Sequence, residues 1–125
     1  MRPLLLFITA GLAAGAAAQP ALPTEFPADA EAVEAAALRD HLAGKVFRAQ
    51  PASGPAWRLE YKANGYAFLD TTAGFRDTGR WSVEQDRLCS TWERAPGGCS
   101  PARLKAGVVY VKRASNGEVV ALVPD

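Results

Sequence analysis

The sequence is short of the residues that usually carry chemistry. Its 125 residues hold one histidine, His41, one methionine and two cysteines, Cys89 and Cys99. A catalytic nucleophile needs a base within reach, and a lone imidazole leaves little choice of one. Ser53 lies in Pro51-Ala52-Ser53-Gly54-Pro55, a loop-forming run without the Gly-x-Ser-x-Gly elbow. His41 falls near the end of the one helical stretch, where it suits the negative end of the helix dipole. There is no Cys-x-x-Cys, and one histidine does not complete a four-ligand zinc set. Gly97-Gly98 precedes a cysteine rather than a helix, which excludes a phosphate-binding loop. Asp70-Thr71-Thr72-Ala73-Gly74 lacks the alternating oxygen ligands and terminal glutamate of a calcium loop. No spacing sets two carboxylates across a cleft, and turn-capping accounts for Asp77 and Asp86. No catalytic residue, no metal and no cofactor is therefore expected, and the chain is read as not an enzyme.

Charge of one sign is also lacking. Fourteen basic residues face thirteen acidic ones, so no polybasic surface is available for general nucleic-acid binding. The bases Arg58, Lys62, Arg76, Arg80, Arg87 and Arg94 are interleaved with acids, as in cross-strand ion pairs on a solvated face. Long apolar runs are confined to the start. Arg2 is followed by Leu4-Leu5-Leu6-Phe7-Ile8, an apolar stretch to Ala14, and the small residues Ala16-Ala17-Ala18. That three-part layout predicts a secretory signal peptide over residues 1–18. Its apolar part is shorter than the roughly 20 residues that span a bilayer. No membrane span is expected in the mature chain, and the expected location is periplasmic or secreted. In an oxidising compartment two lone cysteines pair, so a Cys89–Cys99 disulfide is expected around the turn-forming Pro96-Gly97-Gly98.

What remains is a chain of two textures. Residues 19–28 carry Pro20, Pro23 and Pro27 and read as an extended leader with little order. Residues 29–125 read as a single β-rich domain that opens with a helix over residues 29–43. Alanine is abundant there, Asp29, Glu31 and Glu34 crowd its front, and Gly44 follows as a C-terminal cap. Ala35, Leu38 and Leu42 share a narrow apolar face.

After Lys45 the period becomes two. Trp57, Leu59 and Tyr61 alternate with Arg58, Glu60 and Lys62, and Trp81 and Val83 alternate with Arg80, Ser82 and Glu84. Asn64-Gly65 and Asn116-Gly117 are strong hairpin signals. About eight short strands with close turns and no intervening helix predict antiparallel meander connections. The expected fold is mainly β, a small antiparallel up-and-down barrel or curved sheet with one N-terminal helix. A two-sheet sandwich obeys the same alternation.

Trp57, Tyr61, Tyr66, Phe68, Trp81, Trp92 and Tyr110 all fall in these strands. Each buried aromatic removes about 150–250 Å² from water, so core packing is their first role. Their second is to line a barrel mouth, which makes Trp57, Tyr61, Phe68, Trp81 and Trp92 the candidate ligand-binding residues.

Gly79-Arg80-Trp81-Ser82-Val83, Leu88-Cys89-Ser90-Thr91-Trp92 and the later Cys99 resemble a family of small exported bacterial proteins of unknown function. Their pattern is Gly-x-Trp, a Leu-Cys-x-x-Trp strand, a second cysteine and a final hairpin. The resemblance covers roughly residues 45–123. It implies a lipocalin-like or related barrel with a disulfide, and brings no activity or catalytic residue with it. Ser53-Gly54-Pro55-Ala56-Trp57 is similar in spacing to the Ser-Gly-x-x-Tyr loop of some periplasmic lysozyme inhibitors, with tryptophan in place of tyrosine and the rest of that motif absent. The functional expectation is an exported non-enzymatic β-barrel that binds a small apolar or amphipathic ligand in the envelope. The alternative is a protein-binding module, such as a periplasmic hydrolase inhibitor.

Overall fold

The computed structural model describes residue 11 and residues 21–125. Apart from residue 11, the expected signal peptide and the first two residues of the leader lie outside the described residues. Among the described residues, one helix, α1 (Ala35–Leu42), precedes eight strands: β1 (Lys45–Ala49), β2 (Trp57–Tyr61), β3 (Tyr66–Thr71), β4 (Arg76–Glu84), β5 (Arg87–Trp92), β6 (Gly98–Lys105), β7 (Val108–Lys112) and β8 (Val119–Pro124). Each strand pairs antiparallel with the next, and β8 returns to β1 through Phe47↔Pro124 and Arg48↔Val123, so the sheet closes into a barrel. The sandwich is thereby excluded, and closure removes the open edges of a flat meander.

The register follows the alternation. Phe47, Leu59, Ala67, Trp81, Leu88, Ala102, Val109, Val120 and Leu122 point inward and are buried. Their sequence neighbours Arg48, Arg80, Arg87 and Arg103 face water, as a period of two requires. Two strands begin earlier than the alternation alone predicts. β4 starts at Arg76, because Asp70↔Arg76 extends its ladder with β3. β6 starts at Gly98, because Cys89↔Cys99 and Ser90↔Gly98 extend its ladder with β5. The disulfide Cys89–Cys99 joins these two strands directly across the ladder.

Two glycines let β5 come close to its surroundings. A Cβ on Gly79 would lie 1.9 Å from the Thr91 carbonyl oxygen, and one on Gly97 would lie 2.5 Å from that of Ser90. Both contacts are with backbone, which has no rotamer to turn aside.

The helix is shorter than expected and the leader is better held. Residues 29–34 do not join α1. Glu31 instead exchanges two backbone hydrogen bonds with Leu104 of β6, at 2.9 and 2.8 Å. Sheet pairing here overrides the helix propensity of an alanine-rich run. The leader, expected to have little order, is tied to the barrel in its described part. The Val119 N–H donates to Pro23 O at 2.7 Å, Arg103 stacks on Phe26, and Lys105 pairs with Asp29 at 2.8 Å. An outward N–H on β8 needs an acceptor, and the proline-rich segment, extended by its own stereochemistry, supplies one.

The α1 face that the sequence marks out is the one buried. Leu38 and Leu42 are both 0 % exposed and close one end of the barrel against β1 and β4. Beneath them Phe47, Tyr61 and Trp81 stack in tilted and edge-on pairs, with centroids 5.9 and 5.3 Å apart. The Trp81 indole N–H donates to Lys62 O at 2.8 Å, and Arg39 lies over its ring while reaching Ala63 O at 3.0 Å. This end is therefore plugged.

Candidate functional site

The opposite end carries the β1–β2, β3–β4, β5–β6 and β7–β8 loops, residues 50–56, 72–75, 93–97 and 113–118. All four are joined to the barrel or to one another by side chains. Glu118, 1 % exposed, is one anchor. Its carboxylate accepts the Ala52 N–H at 2.6 Å and the Ser53 hydroxyl at 2.5 Å, and lies 3.5 Å from the Arg113 guanidinium. Arg113 and Asn116 donate to the same Ser53 oxygen at 3.2 and 3.4 Å, and Arg113 stacks over Trp57. Burial pushes the Glu118 carboxyl upward, but the Ser53 hydroxyl, the Ala52 N–H and Arg113 outweigh it, so the net shift is downward.

Asp77, at the start of β4, is the second anchor and is also buried. It accepts the N–H groups of Thr78 at 2.9 Å, Arg94 at 3.1 Å and Ala95 at 2.7 Å, and so fastens the β5–β6 loop to β4. Burial again opposes ionisation, and the Ala95, Arg94 and Thr78 N–H groups reverse the balance to leave its carboxyl lowered. Arg94 folds over Phe75 and donates to Arg76 O at 3.2 Å. Thr72 links the remaining pair: its N–H donates to Ala56 O at 3.1 Å, and its hydroxyl accepts the Ala56 N–H at 3.2 Å. The loop end is thus cross-tied, while Ser53, Gly54, Pro55, Ala73, Gly74 and Pro96 remain exposed on it.

Beside this end, the outer face of β2–β4 holds a groove of about 350 Å³ whose walls include Arg58, Asp70, Arg76 and Arg94 around Phe68. Its charges are largely paired internally. Asp70 lies 3.0 Å from Arg76 and 3.9 Å from Arg58. Lys62 sits 2.7 Å from Glu60 and, by that hydrogen bond, holds the Glu60 carboxyl below its ordinary value. A smaller groove of about 230 Å³ runs past Tyr66, Arg80 and Trp92, where Arg80 stacks on Tyr66 and donates to its hydroxyl at 3.0 Å.

The five aromatic candidates are not gathered into one mouth. Tyr61 and Trp81 meet inside, at the plugged end, and are buried; burial pushes the Tyr61 hydroxyl upward. Trp57 sits half-buried at the loop end under Arg113. Phe68 lines the outer groove, and Trp92 packs partly against the core while lining the smaller one. Ser53 is engaged by Glu118, Arg113 and Asn116, and His41 is half-buried on α1.

The sequence reading missed Glu118 as an anchor and took Asp77 for a cap of its own turn. Glu118 reaches a partner 66 positions away in the chain, and no local pattern announces such a contact. An acid at the inward phase of a strand, two residues before Val120, was the available signal. In comparison with known proteins, no family model matches the chain, and neither the curated proteins nor the solved structures yield a significant match.

Proposed function

We propose that this chain is an exported, non-enzymatic binding module that recognises a protein partner through the cross-tied loop end. The observation that carries this reading is the pair of buried carboxylates, Glu118 and Asp77, which fasten exposed loops at one end and are used for little else. A surface ordered in advance loses less conformational entropy on association. Small residues at the loop tips allow close approach by a partner. Export is supported by the Arg2–Ala18 layout and agrees with a chain that carries a disulfide.

An apolar ligand inside the barrel has less support. Leu38, Leu42, Phe47, Tyr61 and Trp81 fill the helix end, and both grooves lie on the outside among charged side chains. The test is affinity capture from a soluble envelope fraction on immobilised residues 19–125, alongside an Ala73→Arg/Pro55→Arg variant of the loop tips. A partner that binds the parent and is lost from the variant supports the reading. A partner held equally by both, or saturable uptake of a fatty acid or apolar dye with no protein partner, removes it.

A further inference from the structure

The outer face of β2–β4 carries a surface that the proposed function does not use. There β3 presents Phe68 between Glu60 of β2 and Thr78 of β4, and Asp70 between Arg58 and Arg76. The groove of about 350 Å³ around Phe68 and the smaller one beside Tyr66 share Thr78 and Glu93 in their walls. The two thus form one furrow across the sheet. Its charge is balanced, since Arg58, Arg76 and Arg94 are matched by Glu60, Asp70 and Glu93, while Asp77 is buried on its backbone N–H groups. Its hydrogen-bonding capacity is not used up. Arg58 lies 3.8 Å from Glu60 Oε2 and 3.9 Å from Asp70 Oδ2, too far for a hydrogen bond. Asp70 engages Arg76 through Oδ1 at 3.0 Å, and Glu60 engages Lys62 through Oε1 at 2.7 Å. That leaves the second oxygen of each carboxylate, the Arg58 guanidinium and the terminal nitrogens of Arg76 open to a ligand.

We infer that this furrow binds a neutral oligosaccharide, with one sugar ring on Phe68 and its hydroxyls spanning the Arg58–Glu60 and Arg76–Asp70 pairs. The C–H face of a sugar is apolar and lies flat on an aromatic ring, its hydrogens toward the negative π face. Each hydroxyl both donates and accepts. It gives its proton to a carboxylate oxygen and takes an N–H from the neighbouring guanidinium, and such charge-assisted bonds are the stronger kind. An anion meets a different balance. Arg58 and Arg76 already stand beside a carboxylate, and Arg94 is spent on Phe75 and on Arg76 O. A phosphate would have to expel an acid, whereas a hydroxyl leaves every pair in place. Phe68 is the platform and Tyr66 is not, because Arg80 covers the Tyr66 ring. The furrow continues past Thr78 into the second groove, which gives room for a chain of sugars and not only for a single ring.

The experiment follows the backbone amides of isotope-labelled residues 19–125 by NMR. Maltohexaose, cellohexaose, the hexamer of N-acetylglucosamine and inorganic phosphate are titrated in separately. The expected result is a saturable shift with at least one of the sugars, centred on the amides of Glu60, Phe68, Asp70 and Thr78, and none there with phosphate. Phe68→Ala should weaken sugar binding about tenfold or more, as the loss of a large apolar contact requires. Phe68→Trp, which keeps a flat apolar face, should retain it. Arg76→Ala replaces a side chain that is 86 % exposed, so it spares the fold and should weaken binding several-fold. Four results would overturn the site: no shift with any of the three sugars, sugar shifts confined to the loop end, phosphate bound in the furrow of the parent chain, or an affinity unchanged in either loss variant.

Discussion

The two ends of the barrel are closed by different forces. At the helix end, Leu38 and Leu42 lie over an aromatic stack, and the contacts are apolar and short-ranged. At the loop end, buried carboxylates hold backbone N–H groups and a hydroxyl. Apolar burial scales with area and does not depend on protonation. A carboxylate anchor holds only while it is ionised. The helix end is thus the part that resists acid, and the loop end the part that responds to it.

The largest loss should come from the helix end. Leu38→Ala removes a fully buried side chain and should cost about 2–5 kcal/mol, read as a lower midpoint in urea. The deficit should stay constant between pH 7 and pH 3. A deficit that shrinks on acidification would mean that this end, too, depends on charge.

The disulfide is next. Closing a loop between residues ten apart in sequence contributes roughly 2.5–3 kcal/mol by chain entropy, so Cys89→Ser should lower the midpoint under oxidising conditions. Under reducing conditions, parent and variant should coincide. A gap that persists there would assign the loss to packing around Cys89.

Glu118→Gln tests the loop end. The amide keeps the shape and loses the charge, at a cost of about 1.5–3 kcal/mol for hydrogen bonds to a charged group. In the folded chain the Glu118 carboxyl titrates below its ordinary 4.5, and Asp77 below 3.8. Each therefore contributes stability that is complete above those values and disappears as pH falls through the lower folded value. Parent and Glu118→Gln should converge in stability as pH falls through that lowered folded value, while Leu38→Ala stays apart from both. A Glu118→Gln deficit unchanged from pH 7 to pH 3 would break the contrast between the ends. The hydrogen-exchange protection factors of the Ala52, Arg94 and Ala95 amides should fall over the same acid range.

The same contrast decides what could be read from the chain. The helix end was legible because its signals are local. Leu38 and Leu42 share a helical face, and the alternation from Trp57 to Tyr61 places each side chain by counting. Strand number and turn spacing gave a small antiparallel barrel or curved sheet and left a sandwich open, and the pairs Phe47↔Pro124 and Arg48↔Val123 decide for the closed barrel. The loop end was not legible, because Glu118 meets Ala52 and Ser53 only after the whole barrel has brought β8 beside β1. The front of the helix was misread for a similar reason. Propensity describes Asp29–Glu34 in isolation, and the edge of β6 at Leu104 offered that segment a better partner. The aromatic set was read correctly as strand-borne. Whether a given ring faces core, groove or loop depends on the twist and on which end of its strand it occupies, and alternation does not fix either.

The smallest effect expected lies at the seam where the barrel closes. Arg48 and Asp125 pair at 2.7 Å across β1 and the end of the chain, with side chains 66 % and 40 % exposed. Water screens such a pair, and ordering two mobile side chains offsets most of the attraction, so it should contribute about 0.2–1 kcal/mol. Arg48→Ala should shift the urea midpoint only slightly, and the shift should vanish in about 1 M salt, where the screening length falls to ~3 Å. The seam's backbone pairing and the burial of Phe47 and Leu122 hold it without the ion pair. A loss in Arg48→Ala as large as that in Glu118→Gln, and insensitive to salt, would show that closure rests on this contact and that electrostatics governs the barrel beyond its loop end.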